Sequence, residues 1–214
     1  MNRNKRAEIA IFTQNAWKKY RIEFKLFLTY LIENLSCIEM RDVELVALQL
    51  RKILEALVFA NLSANIETYQ EMFQSYYTDW NMTKIIERIR KINPSYYPVP
   101  IIRPEVTKNT DELAEFFVEP ITQDFLTEDE VKCTKKYLDK LLHADNPFNT
   151  NLRSVKDELD RLEKFLIKIT NLLRTHQTKL INGVIIHCEM NFFETSHKLT
   201  IVDFVPMEGA VKNE

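Results

Sequence analysis

The first 93 residues contain neither glycine nor proline, and the 214-residue chain holds only two glycines, Gly183 and Gly209. These two residue types are the strongest interrupters of regular backbone, so little in that stretch can break a helix. Its apolar residues recur every three or four positions, which predicts helix almost throughout. The rhythm places helices over Lys5 to Leu35, Asp42 to Leu62, Glu67 to Tyr77 and Met82 to Lys91, with Asp42 as the N-cap of the second. That second helix is apolar nearly all round. Val43, Val46, Leu50, Ile53, Leu54, Leu57 and Val58 fill one broad face, and Leu48, Phe59 and Leu62 occupy the other side. A helix of this kind belongs in the middle of a bundle. Arg51 and Glu55 stand one turn apart among the second-side residues and read either as an ion pair that fixes helix register or as a functional pair.

The shortage of glycine also excludes chemistry. A phosphate loop or a dinucleotide fingerprint needs several glycines so that backbone amides can approach phosphate, and neither is present. The GxSxG nucleophile elbow is absent as well. Cys37, Cys133 and Cys188 are odd in number and far apart, which suits reduced thiols rather than a disulfide framework or a CxxC site. Cys133, beside Lys132 and Lys135, reads as a buried or half-buried thiol. His143, His176, His187 and His197 form no HExxH, HxH or zinc-finger spacing, so no metal ligand set and no cofactor is expected. His187 and His197 read as surface residues of a strand and Cys188 as a core residue.

The one clear boundary is Asn93-Pro94-Ser95-Tyr96-Tyr97-Pro98-Val99-Pro100, where the prolines favour extended backbone. From Glu105 to Glu130 nine acids stand against the single base Lys108, the pattern of a solvated acidic connector. Thr127-Glu128-Asp129-Glu130 is a capping box that opens a helix running to His143. Val131, Thr134, Leu138 and Leu142 share its inward face. Lys132, Lys136 and Lys140 follow on the other side at four-residue steps, with His143 beside them, as a solvated face or an anion-binding ridge. Beyond Asp145-Asn146-Pro147-Phe148, the residues Leu152, Val155, Leu159, Leu162, Leu166, Ile169 and Leu173 alternate spacings of three and four. His176 and Leu180 continue that seam, which predicts one long helix packed along a partner in this chain or in a second copy. Asn182-Gly183 then marks a turn and the period switches to two. Ile186 to Phe192 and Leu199 to Val205 form an antiparallel hairpin joined by a polar turn from Glu194 to Lys198.

The fold expected is therefore mainly α: a multi-helix bundle with a long heptad-patterned helix and a small C-terminal antiparallel β-hairpin. It divides into a helical bundle over 1–93, a Pro-containing acidic connector over 94–127 and helices plus hairpin over 128–214, or folds as one domain. A net charge of −2 gives no global attraction to nucleic acid or membrane. The sequence holds no apolar run of signal-peptide or membrane-spanning length, which implies a cytoplasmic protein.

The runs Leu50-Arg51-Lys52-Ile53-Leu54-Glu55, Trp80-Asn81, Ile92-Asn93-Pro94-Ser95-Tyr96-Tyr97-Pro98 and Leu142-His143-Ala144-Asp145-Asn146-Pro147-Phe148 resemble an uncharacterised bacterial protein family. More loosely, the helices and their histidine resemble the HEPN superfamily, whose members include ribonuclease toxins and parts of phage-defence systems. HEPN ribonucleases carry an Arg, then four to six residues, then a His. Here Lys136 stands at the Arg position, six residues intervene before His143, and Asn146 follows. Lysine lacks the planar fork with which arginine grips phosphate in two places.

Two readings follow. The first is a non-enzymatic helical interaction module, either a homo-oligomer or a subunit of a bacterial defence or stress-related complex. In the second, His143 and Lys136 would serve as acid or base and as phosphate-stabilising cation in a metal-independent ribonuclease. In a related form, the ridge of Lys132, Lys136 and Lys140, with Asn146, binds RNA or a nucleotide without cleaving it. Arg51 and Glu55 are the remaining candidate binding residues.

Overall fold

A computed structural model of the chain describes residues 39–74, 76–102, 119–143, 148, 153–190 and 199–204, the last segment by its backbone. The helix expected over 5–35 lies outside these residues. The described chain is mainly helical: α1 (Met40–Ala64), α2 (Ile66–Met72), a 3-10 turn (Tyr76–Thr78), α3 (Met82–Ile92), α4 (Glu128–Leu142) and α5 (Val155–Arg174). Among the described residues no helix is long and apolar enough to cross a membrane.

α1 is the axis of the bundle and touches α2, α3, α4 and α5. All seven residues of its broad apolar face are buried, Leu62 with them, whereas Leu45 and Leu48 are exposed. Each fully buried Val, Leu or Ile contributes about 1.5–3 kcal/mol, so this face outweighs any single polar contact in the molecule. Asp42 is not the N-cap of α1. The helix begins two residues earlier, Glu39 occupies the cap position, and the Asp42 carboxylate accepts the Glu39 N–H at 2.8 Å. The helix expected over 67–77 stops at Met72, because Phe73 turns to extended backbone, and a short 3-10 turn follows.

A ladder of buried amides ties the end of α1 to the rest. Asn61 Nδ2 donates to the Leu57 carbonyl (3.0 Å), Asn65 Nδ2 to the Asn61 carbonyl (2.8 Å), and Asn93 Nδ2 to both Asn65 Oδ1 (2.9 Å) and the Lys179 carbonyl (2.8 Å). Asn93 closes α3, so one side chain joins two helix ends to the sheet.

α5 ends at Arg174, and the seam does not continue through His176 and Leu180 as helix. Thr175–Lys179 is instead strand β2, which pairs antiparallel with β3 (Ile185–Met190). The turn between them explains the switch. Gly183 N–H donates to the Leu180 carbonyl (3.0 Å), Gly183 takes φ +81°, and Leu180 N–H reaches the Val184 carbonyl (2.8 Å). A turn closed by a left-handed glycine fixes the pairing of the residues on both sides, and that pairing overrides the helical spacing. The expected hairpin of β3 with β4 (Leu199–Phe204) is present, within a larger sheet that starts with β1 (Val99–Pro100) and has the order β1-β2-β3-β4. Strand β1 (Val99–Pro100) pairs with β2, so the proline-bearing boundary is the first strand.

The described residues of the heptad seam pack on this chain's own core. Leu162, Ile169 and Leu173 join the common core, Val155, Leu159 and Leu166 are half-buried, and Leu152 lies outside the described residues. α5 packs against α1 and the first three strands.

Both described ends of the acidic connector lie on this frame. Tyr96 is buried and donates to Glu128 Oε1 (2.6 Å), while Tyr97 donates to the Leu126 carbonyl (2.7 Å). Burial first, then the Glu128 carboxylate, pushes both phenols far above their usual range, which keeps them as donors.

Replacing Asn93 with alanine removes both of its donated bonds and leaves buried acceptors bare. The variant should lose about 2–3 kcal/mol in urea unfolding, while Lys91→Ala, exposed on the same helix, should change stability by less than about 0.5 kcal/mol. Equal effects would refute the joint role of Asn93.

Candidate functional site

The stripe on α4 begins from a well-made helix start. The Thr127 hydroxyl accepts the Glu130 N–H (3.4 Å) and Glu130 Oε2 accepts the Thr127 N–H (3.0 Å), the capping box expected. Burial raises the Glu130 carboxyl, but Lys168 and Thr127 outweigh it and hold it below its ordinary value. Val131, Thr134 and Leu138 are buried as expected; Leu141 takes the last inward place and Leu142 is half-buried.

The outward residues are only partly free. Lys132 Nζ pairs with Glu87 Oε1 of α3 at 3.2 Å. Lys136 and Lys140 are exposed, and so is His143, the C-cap residue, whose backbone N–H donates to the Asp139 carbonyl (3.1 Å). Arg153 donates to the carbonyls of Lys140 (3.1 Å) and Leu141 (3.3 Å), satisfying the open end of the helix. Asn146 lies outside the described residues.

Arg51 and Glu55 are joined at 3.0 Å, and Arg51 Nη1 also reaches Asp139 Oδ1 of α4 at 3.2 Å, where Lys135 pairs with the same carboxylate. Four charges thus bridge α1 and α4 at half-exposed positions, a device that fixes how the two helices register. Asp139 also sets a negative charge between Lys136 and Lys140 in the sequence, which lowers the local positive potential.

Sequence patterning passed over a second feature, the segment between α2 and α3. Asp79 is buried and acts as its clamp, accepting from Tyr69 Oη (2.9 Å) and pairing with Lys84 Nζ (3.1 Å) and with Arg88. Burial alone would raise the Asp79 carboxyl, but Lys84, Tyr69 and Arg88 together hold it below its ordinary value. The Arg88 guanidinium also lies 4.5 Å from the Phe73 ring centroid.

Above this clamp stand Trp80 at 78% exposure, Tyr77 at 73% and Met72 at 57%. Asn81 is the N-cap of α3, accepting the Lys84 N–H at 3.1 Å. Trp80 therefore occupies the position from which a hydrophobic staple would fold back onto Ile85. Ile85 is buried without it, and Trp80 turns outward, touching the Phe59 ring edge-on at 6.0 Å between centroids. Asn81, a favoured N-cap residue ahead of the apolar rhythm of α3, could have located the residue, but its outward direction is not written in that local pattern.

The sheet contains two buried histidines. His187 is 8% exposed rather than a surface residue, because β3 lies between β2 and β4 instead of forming half of an isolated hairpin. Cys188 is buried, as expected, and faces His176 across the strand pair. Cys133 is exposed, contrary to expectation, since it falls on the outer flank of α4. His197 lies outside the described residues. Among the described residues no group of three or more His, Cys, Asp or Glu could hold a metal ion.

No family model matches the chain, and neither a curated protein nor a solved structure shows significant similarity to it.

Burial lowers the His176 imidazole from 6.5 to about 4; nearby His187 acts in the same direction, and the Leu173 carbonyl, 3.2 Å from Nδ1, opposes them. The fold therefore holds the neutral ring, and the unfolded chain binds the extra proton. This contribution to stability is complete above the unfolded value of 6.5 and is lost as pH falls toward 4. Integrated over that window it amounts to roughly 3 kcal/mol. Urea unfolding of the wild type should weaken steadily from pH 6.5 to 4, and His176→Asn should flatten that slope. An unchanged slope in the variant would contradict the assignment.

Proposed function

We propose that the chain is a non-enzymatic helical interaction module that docks another protein through Met72, Tyr77 and Trp80. The observation that carries this reading is Trp80, turned away from its own helix and 78% exposed on a loop clamped by Asp79. Trp, Tyr and Met are the side chains enriched where proteins meet, and a few such residues dominate binding energy. The two rings alone offer roughly 300 Å² of apolar surface. Because Asp79, next to Trp80, is held from α2 and from α3, the backbone beneath the indole loses little freedom on docking. A protruding knob of this kind suits an apolar groove on a partner. The resemblance to defence-associated helical proteins suggests the setting, a bacterial defence or stress-related complex.

A photo-crosslinking residue placed at position 80 in the producing cell should capture one discrete protein, and the same probe at exposed Glu163 on α5 should not. Trp80→Ala should weaken that complex by about 2 kcal/mol or more, roughly thirtyfold, while folding stability falls by no more than about 1 kcal/mol for the lost edge contact with Phe59. Identical capture at both positions, or none at position 80, would overturn the proposal.

A second reading keeps the α4 stripe, and the exposure of Lys136, Lys140 and His143 on one flank favours it. In this reading His143 moves a proton to or from a ribose hydroxyl, Lys136 steadies the phosphate, and no metal takes part. Incubation with cellular RNA in EDTA should show cleavage that His143→Ala abolishes. Equal absence of cleavage from both proteins would reject catalysis. RNA binding without cleavage would weaken with salt and when Lys132, Lys136 and Lys140 become Glu.

A further inference from the structure

α1 carries a second stripe, away from the face that forms the core. Leu45, Leu48, Lys52, Glu55 and Phe59 follow at alternating spacings of three and four along one line of the helix. Leu45 is 41% and Leu48 37% exposed, and Lys52, Glu55 and Phe59 are half-exposed, although the opposite side of the same helix is fully buried. The two charges stand in the middle of the stripe, with apolar residues at both ends. Arg51 Nε holds Glu55 Oε1 at 3.0 Å and Arg51 is itself tied to Asp139, so the carboxylate is fixed on the helix surface. A carboxylate offers about four acceptor sites, and Glu55 can take a second cation while it keeps Arg51.

This pattern is complementary to itself. Let a second α1 lie antiparallel to the first about a twofold axis that passes between positions 53 and 54. Lys52 of each copy then opposes Glu55 of the other, and Leu48 of each opposes Phe59 of the other. The charged layers join unlike charges, and the apolar layers on either side shield them from water. A parallel pair would set Lys52 against Lys52 and Glu55 against Glu55, which is repulsive. Sliding the antiparallel pair by one heptad would set Leu48 against Lys52 or Phe59 against Glu55, and a charge would lose its water to an apolar neighbour. Position 45 meets position 62, where Leu62 is already buried, so the contact fades at its ends.

We infer that two copies of this chain associate through this face of α1, antiparallel and centred on the Lys52 and Glu55 layers. From Leu48 to Phe59 the helix runs about 17 Å. Such an interface is small, and the dimer is reversible on dilution. The stripe excludes Met72, Tyr77 and Trp80, so the inference stands apart from the docking knob, which meets it only at the edge of the Phe59 ring.

Sedimentation of the full chain should show monomer in dilute solution and dimer in concentrated solution. Brief acetylation read by mass spectrometry should modify Lys52 severalfold more slowly in the concentrated sample, and exposed Lys136 on α4 alike in both. Lys52→Glu and Glu55→Lys should each be folded by circular dichroism and monomeric, because each sets like charges opposite one another. Mixed in equal amounts they should dimerise, since every charged layer then joins unlike charges. A monomer at every concentration, a dimer in which Lys52 reacts as it does in the monomer, folded single variants that still dimerise, or a mixture of folded variants that stays monomeric would each defeat the inference. Lys52 protected equally in a monomer means that this face is covered from within the chain, and that result defeats it too. If the variants unfold, protection of Lys52 in the wild type decides. Trp80→Ala should still dimerise while losing the protein captured at position 80, so each reading can fail alone.

Discussion

Everything described here depends on covering α1. A helix with apolar residues around most of its circumference cannot stay in water, and no single neighbour can shield it. α2, α3, α4 and α5 are therefore gathered around one axis, drawn from both sides of the proline-rich boundary. The geometry of the surface follows from that gathering. The α4 stripe points outward because Val131, Thr134, Leu138 and Leu141 point inward, and Asp79 is held between α2 and α3 by Tyr69, Lys84 and Arg88.

Burial specifies proximity, whereas the polar groups specify register. The asparagine ladder locks the ends of α1 and α3 to β2, and the Arg51-Glu55-Asp139-Lys135 group sets α4 against α1. Asp79 does the same for the loop that carries Trp80. These contacts are short-range and directional, so misalignment of an element leaves donors and acceptors without their partners. The tyrosines at the boundary extend the same logic, since Tyr96 and Tyr97 hold the first strand against the start of α4.

Helices with long unbroken rhythm were legible in the sequence: α1, α3 and α4 stand within two residues of where periodicity put them, and the β3–β4 pairing matches its two-residue alternation. The end of α5 was not legible. His176 fits a heptad by count, but its segment is claimed by a partner strand on the far side of the Asn182-Gly183 turn, and spacing within one segment carries no trace of that competition. The same reason hid the burial of His187, which depends on β3 having neighbours on both sides. Of the candidate site, the exposure of Lys136, Lys140 and His143 followed from helical phase. The engagement of Lys132 by Glu87 and of Arg51 by Asp139 did not, because those partners lie more than forty residues away in the chain.

The sequence by itself determined the class of structure: a backbone with almost no breakers and apolar residues every third or fourth place has helices, and helices with broad apolar faces bundle. Periodicity is a local property, and local sequence is enough to set it. Only the tertiary structure decided that the described seam residues of α5 pack on this chain's own core, that β1 and β2 extend a hairpin into a four-stranded sheet, and that Trp80 faces outward. Each of those outcomes depends on which distant segment arrives to bury a surface or accept a hydrogen bond, and that is a property of the assembled fold.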